Sequence, residues 1–128
     1  MTHITLLGKD FPLEYTVQVM DEVTKKYGGT AEAASAVLND TDPADQLHNI
    51  VFMLSAMMKG AERRERVRCA LWGEEYKGTP ALDYETLLEI MNIEDLHNMA
   101  DVIVEVVAGA SKPTVDLVQD PKKNEATQ

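Results

Sequence analysis

The stretch Asp42-Pro43-Ala44-Asp45-Gln46-Leu47-His48-Asn49-Ile50-Val51-Phe52-Met53-Leu54-Ser55-Ala56-Met57-Met58-Lys59-Gly60 decides how this chain is read. Asp42 is placed to cap a helix, since its carboxylate accepts from free backbone N–H groups. Pro43 suits the first helical position, where its missing N–H costs nothing. Leu47, Ile50, Val51, Leu54, Met57 and Met58 then recur at helical spacing and fall on one face. Asp45, His48, Ser55 and Lys59 fall off that face. Phe52 falls roughly opposite it, because successive helical residues turn by about 100°. The spacing predicts a helix with one core face and one aromatic outside it, weakened or ended at Gly60.

Upstream, Ile4-Thr5-Leu6-Leu7 reads as a strand and Gly8-Lys9-Asp10 as a turn. Phe11, Leu13 and Tyr15 alternate with Pro12 and Glu14, giving a second strand with one apolar face. Pro12 cannot donate a ladder hydrogen bond, which marks an edge. The hairpin so formed is marginal alone and must pack on something. From Thr16 the period becomes helical, with Val19, Met20, Val23 and Tyr27 on one face. Gly28-Gly29 ends that helix, and Thr30 is placed to cap a short alanine-rich one through Leu38.

Downstream, Val67, Ala70 and Leu71 continue a helical stripe that Arg64 interrupts, so a second helical piece or an extension beyond Gly60 is expected up to Trp72. Gly78 and Pro80 punctuate a loop. Asp83 caps a short helix with Leu87, Leu88 and Met91 on one side. Asn92 caps the last helix, with Leu96, Met99, Ala100, Ile103, Val106 and Val107 inward and Glu94, Asn98, Asp101 and Glu105 outward. Gly109 and Pro113 stop it. Residues 112–128 read as a flexible polar tail in which Val115, Leu117 and Val118 stand ready for a partner. The fold expected is an α-rich α+β domain over residues 1–111, an N-terminal β-hairpin packed on about five helices.

The chain's 128 residues suffice for one modest core, and a 45% hydrophobic content excludes a wholly disordered chain. No run is long and apolar enough to cross a bilayer, and no secretory signal pattern stands at the start. Cys69 is alone, so no internal disulfide is possible, and a reducing cytoplasm is the simplest compartment. A net charge of −10 argues against sequence-independent nucleic-acid binding. The charge is uneven. Lys59, Arg63, Arg64, Arg66 and Arg68 crowd one region, while seven acids and no lysine or arginine lie between Gly78 and Ala110. Each group is either a solvated face or one half of a docking pair, within a monomer or between copies.

No catalytic, cofactor or metal pattern is present. There is no phosphate-binding glycine loop and no nucleophile elbow. His97 has Asp101 one turn on, which reads as a solvated pair on a polar face before it reads as a ligand pair. Cys69 lies near Arg66 and Arg68 but has no histidine nearby in sequence to act as its base. The methionines are more informative. Met53, Met57, Met58, Met91 and Met99 are adaptable core filler or else a compliant groove for varied guest segments. In the second reading Phe52, Met53, Met57 and Trp72 contact the guest, and Arg63, Arg64, Arg66 and Arg68 orient it.

A strand, a Gly-Lys-Asp turn and Phe11-Pro12-Leu13-Glu14-Tyr15-Thr16 open the chain. A helix ending Lys25-Lys26-Tyr27-Gly28-Gly29 follows, then the Asp42-Pro43 helix rich in leucine and methionine. An Asp83-Tyr84-Glu85-Thr86-Leu87-Leu88 helix and a terminal amphipathic helix complete the order. Over about residues 4 to 110 this resembles the tail assembly chaperones of long-tailed bacteriophages and prophages of Gram-positive bacteria. The resemblance implies a non-enzymatic, late role in virion assembly, in the host bacterial cytoplasm and absent from the mature virion. It implies binding and solubilising of the tape measure protein and recruitment of tail tube protein, with homo-oligomers possible and no membrane partner. It also directs attention to Lys122-Lys123-Asn124, which a slippery heptamer for programmed frameshifting can encode. The alternative is a small non-enzymatic regulatory adaptor or self-assembling structural subunit. A degenerate enzyme or ligand-binding domain would require a deep pocket lined by His97, Asp101 or Cys69.

Overall fold

A computed structural model describes residues 2–39 and 42–111. The order is β1 (Thr2–Leu6), β2 (Lys9–Leu13), α1 (Val17–Tyr27), α2 (Thr30–Asn39), α3 (Pro43–Trp72), α4 (Tyr84–Ile90) and α5 (Ile93–Ser111). This is the hairpin-plus-five-helix α+β arrangement that the periodicities predict. The tail expected over 112–128, with Lys122-Lys123-Asn124, lies outside the described residues, as do Asp40 and Thr41 of the linker before α3.

The hairpin turns one residue earlier than expected. Leu6 pairs with Lys9, leaving Leu7 and Gly8 as a two-residue loop. Both carry positive φ, 51° and 79°, the signature of the turn whose twist matches the flanking strands. Lys9 and Asp10 therefore belong to β2, and Thr5 donates its hydroxyl proton to the Asp10 carboxylate across the pair. Ile4 and Leu6 on β1 and Phe11 and Leu13 on β2 share the buried face.

Helix α3 is one continuous rod of 30 residues, about 45 Å long. Asp42 caps it, its Oδ1 accepting from Ala44 N at 2.9 Å. From Ile50 to Met58 every residue is buried except Phe52, which is half-buried. A one-faced pattern is therefore the wrong description of this stretch. Strand β2 and helices α1, α2, α4 and α5 all pack around it, so Met53, Ser55 and Ala56 are enclosed along with the predicted stripe. A helix apolar nearly all round is a core helix.

Gly60 does not end the helix. A methyl group there would sit 2.4 Å from Val19 Cγ2 and 3.1 Å from the Glu14 carbonyl oxygen. The glycine lets the chain leaving β2 lie directly on the α3 backbone, where Glu14 N donates to the Met57 carbonyl at 3.2 Å. This contact fastens the hairpin to the core.

The remaining helices start and stop by local chemistry. Thr16 caps α1, accepting from Val19 N at 3.2 Å. Gly28 closes it in the left-handed region, with φ 98°. Val19 and Val23 are buried as predicted, but Met20 is exposed. Helix α2 begins on the Gly29 carbonyl, which accepts from Ala33 N at 3.1 Å. Thr30, expected as its cap, instead shares a 3.0 Å hydrogen bond with the Tyr15 hydroxyl. Asp83 caps α4 through Thr86 N, at 2.9 Å. Asn92 and Asp95 cap α5 reciprocally, each side chain accepting from the other's backbone N–H, at 2.8 and 3.1 Å. Met99, Ile103 and Val107 face the core from α5, with Leu96, Ala100 and Val106 partly buried beside them. Polar links tie α1 and α2 to α3. Tyr27 donates its hydroxyl proton to Asn49 Oδ1 at 2.9 Å, and Gln46 Nε2 donates to the Val37 carbonyl at 2.8 Å.

Gly60→Ala tests the close approach. Helix propensity alone would favour alanine by about 1 kcal/mol. Collision with Val19 and the Glu14 carbonyl should reverse the sign, for a net loss of about 1–3 kcal/mol in chemical denaturation. Val19→Ala in the same chain should recover part of that loss.

Candidate functional site

Beyond Met58, helix α3 leaves the centre of the fold and shows two faces. One is covered by its own chain. Residues 73–83 fold back along Ala61, Glu62, Glu65 and Cys69. Gly73 turns the chain with φ 70°. Glu74 N donates to the Cys69 carbonyl at 2.8 Å, and Ala81 N donates to Glu62 Oε1 at 2.9 Å. The Arg66 guanidinium lies 4.0 Å from the Tyr76 ring centroid, a cation–π contact. The Ala81 N–H and Arg66 hold the Glu62 carboxyl below the usual carboxylate range.

Cys69 is sealed beneath this loop. Its Sγ lies 3.7 Å from Glu65 Oε2 and 3.8 Å from the Glu75 carbonyl. Burial and the Glu65 carboxylate push the thiol up from its ordinary value, the opposite of an activated nucleophile.

The other face is bare. Val67 is 56% exposed, and Leu71, one turn on, is 71% exposed. Trp72, about 100° further round the helix, is 68% exposed. Facing Val67 across an open groove of about 850 Å³ is the β2–α1 junction, with Tyr15, Thr16 and Val17. Val17 is 80% exposed. Gly60 lies in the groove, Arg63 and Arg64 border it, and Ala110 at the end of α5 closes one side.

A second apolar groove, of about 400 Å³, lies between the first turns of α3 and α5. Pro43, Leu47, Ile50, Ile93, Leu96 and Ala100 line it, with Gln46 and His97 as its polar members. Leu47 and Arg64 are 17 residues apart on one straight helix, which separates the two grooves by about 26 Å. His97 therefore borders a pocket, but Asp101 and Cys69 do not share it. Among the described residues no cluster of three or more histidine, cysteine, aspartate or glutamate side chains could hold a metal ion.

The predicted contact residues divide. Trp72 is open to solvent. Met53 and Met57 are fully buried in the core and are corrected: neither offers surface to a partner. Phe52 is half-buried, its ring packed edge-on against Tyr27 at 6.0 Å with Lys26 Nζ 4.8 Å above it, so it is occupied within the fold. Each arginine is paired close to home: Arg63 with Glu22, Arg64 with Glu14, Arg66 with Glu62, and Arg68 with Glu65 and Glu74. Among the described residues none of these arginines forms an ion pair with the seven acids between Gly78 and Ala110, but the two charge groups do approach: the Asp83 carboxyl, held low chiefly by the Thr86 N–H, also feels Lys59, and Arg64 lines one hollow with Glu105. Sequence reasoning missed Val17 and undervalued Val67 and Leu71. The available signal was Arg64 breaking the apolar stripe, because a helix face that fails to stay apolar is not a core face.

No family model, curated protein or solved structure matches this chain. Among the described residues no helix is long and apolar enough to cross a membrane.

Removing Glu62 should loosen the covering loop. Glu62→Ala is expected to raise the reactivity of Cys69 toward dithiodipyridine by about 10-fold or more, through local opening. In the wild type the sign of the pH effect follows from the lowered Glu62 pKa. Its contribution is complete above the ordinary value of 4.5 and is lost as the pH falls through the folded-state value. Cys69 protection should therefore fall on acidification in the wild type and fall less steeply in Glu62→Ala, where Glu65, also held low by Arg68, still titrates beside the thiol.

Proposed function

We propose that this chain is a non-enzymatic tail assembly chaperone, which holds apolar segments of the tape measure protein and helps recruit tail tube protein during assembly of a phage tail. The observation that carries the reading is a set of large apolar side chains, Val17, Val67, Leu71 and Trp72, left in solvent on a chain of net charge −10. Isolated exposed apolar residues are ordinary, but Val17 and Val67 line one groove and Leu71 extends the Val67 face by a turn, which marks a contact surface; Trp72 stands further round the helix. The high negative charge keeps such a surface from driving the protein out of solution. The order of elements supports the reading through its likeness to the phage chaperones.

In this account the guest contacts differ from those the sequence favours. Val67 and Leu71, with Val17 across the groove, replace Met53, Met57 and Phe52, and Trp72 is kept. Arg63 and Arg64 at the border orient the guest through guanidinium N–H groups beyond those used by Glu22 and Glu14. The second groove, about 26 Å away along α3, gives an extended guest another apolar foothold. Each groove opens to solvent, so a guest can leave by the way it entered. The work is done in the host bacterial cytoplasm, and the chaperone leaves before the virion is complete.

Co-expression with a tape measure protein tests this. The guest should stay soluble with the wild-type chain and precipitate without it. Leu71→Asp combined with Trp72→Asp should leave the far-ultraviolet circular dichroism spectrum unchanged. It should weaken guest binding by about 30-fold, the cost of losing a hot spot worth ~2 kcal/mol. A guest equally soluble with the double variant, or insoluble with both, counts against the reading.

A further inference from the structure

The first turns of α3 and α5 share the groove of about 400 Å³. Pro43, Leu47 and Ile50 face it from α3, and Ile93, Leu96 and Ala100 from α5. Ile93 is 66% exposed there. We propose that this groove is the docking site for a cationic amphipathic helix of a partner polypeptide, whose apolar face seats on these side chains and whose lysines or arginines meet Glu94 and Asp101.

The walls decide the form of the guest. Both are helices, and the caps Asp42, Asn92 and Asp95 already occupy N–H groups at their first turns. The Gln46 amide is spent on the Val37 and Leu38 carbonyls. Among the described residues the strands are β1 and β2, which pair with each other and contribute nothing to the lining. The groove therefore has no sheet edge to offer. A polypeptide lying on side chains alone must satisfy its own N–H and C=O groups, and a helix does so. The lining residues also recur at helical spacing, so each wall is a stripe about 10.5 Å long, two turns of a helix. Guest anchors at i, i+3, i+4 and i+7 match that length.

Charge decides the composition of the guest. At about 100° per residue, Asp101 stands about 40° and Glu94 about 60° from His97 around α5, both on the side away from Leu96 and Ala100. They form the edge of the groove beyond His97, and both are exposed. Among the described residues neither forms an ion pair, whereas Glu14, Asp21, Glu22, Glu62, Glu65 and Glu74 all do. No lysine or arginine occurs in α5 or from Pro43 to Met58. The helix dipole accounts for Glu94, in the first turn. It does not account for Asp101, which lies further along with Glu105 one turn beyond it, and like charges at that spacing repel. An arriving cation relieves that repulsion, and an anionic guest would add to it.

The assignment names the form and charge of the guest at the second groove, so it deepens the proposed function and rests on it. Its test needs no tape measure protein and reads this groove directly, so the two can fail separately. The probe is an amidated peptide of about 14 residues, with leucine at i, i+3, i+4 and i+7 positions and lysine elsewhere. Added to the methyl-labelled full chain, it is expected to shift Leu47, Ile93 and Leu96 and to leave Ile103 and Val107 in place as reporters of an intact core. Exchanging its lysines for glutamate should weaken binding by about 10-fold or more, and so should alternating leucine with lysine, which destroys the helical face. Glu94→Gln combined with Asp101→Lys should weaken binding by about 10-fold, while Asp10→Lys combined with Asp21→Gln, which changes the net charge equally, should alter it by less than about 3-fold. No shift at Leu47, Ile93 and Leu96, or shifts confined to Val17 and Val67, would overturn the proposal. So would equal binding of the glutamate or the alternating peptide, or equal loss in the two double variants. Leu47 and Ile93 signals that move on dilution of the protein alone would also overturn it, assigning the groove to a second copy.

Discussion

The fold depends on the enclosure of one helical segment. Ile50 to Met58 of α3 is wrapped by β2 and by helices on its other sides, and the chain leaving β2 touches its backbone at Met57 and Gly60. A two-stranded hairpin has too little surface to hold itself together in water. Here it is held because Phe11 and Leu13 reach the same core as Met53, Leu54 and Met57. The carbonyl of Met57 gives the departing strand a fixed point. Helix α1 then begins at Thr16 with Val19 already against Gly60, and the helices that follow close over the remaining sides. With only two phenylalanines in the chain, aliphatic residues and methionine fill this interior, and the thioether's flexibility suits a site bounded by elements at several angles.

The same helix carries a different task further along. After Met58 it has too few neighbours to be enclosed, and its own downstream loop covers just one side. Glu62 is central there, accepting from the Ala81 N–H and from Arg66, while Cys69 fills the space beneath. On the uncovered side apolar side chains stand in water beside arginines. That juxtaposition suits reversible capture of greasy polypeptide. In the proposed function a stiff helix would present the contacts at fixed spacing, and the acidic charge elsewhere would oppose aggregation.

Much of this was legible because it is local. The caps at Asp42, Asp83 and Asn92 follow from side-chain chemistry within three residues, and the inward stripe of α5 follows from a helix with one buried side. Apart from the hairpin turn, which falls one residue early, what failed was non-local. Met53 and Ser55 lie off the predicted stripe, and nothing in the spacing tells that neighbours cover the other side as well. Gly60 reads as a helix breaker by propensity, yet its role is set by Val19 and Glu14, which are distant in sequence. The arginine cluster read as a solvated face or half of a docking pair, and the Glu14 and Glu22 partners of Arg64 and Arg63 were out of view because they lie some 50 and 41 residues away. Conversely, the exposed site announced itself only as a broken pattern, Arg64 among Val67, Ala70 and Leu71.

The central claim is that α3 is a single helix whose first half is locked in the core and whose second half is held on one side alone. Native-state hydrogen exchange along α3 in the full chain tests it directly. The account predicts that amides from Ile50 to Ala61 exchange only through global unfolding. Amides from Arg64 to Leu71 should exchange through a smaller opening that denaturant scarcely alters. Equal protection to Trp72, or a break in protection at Gly60, would contradict it.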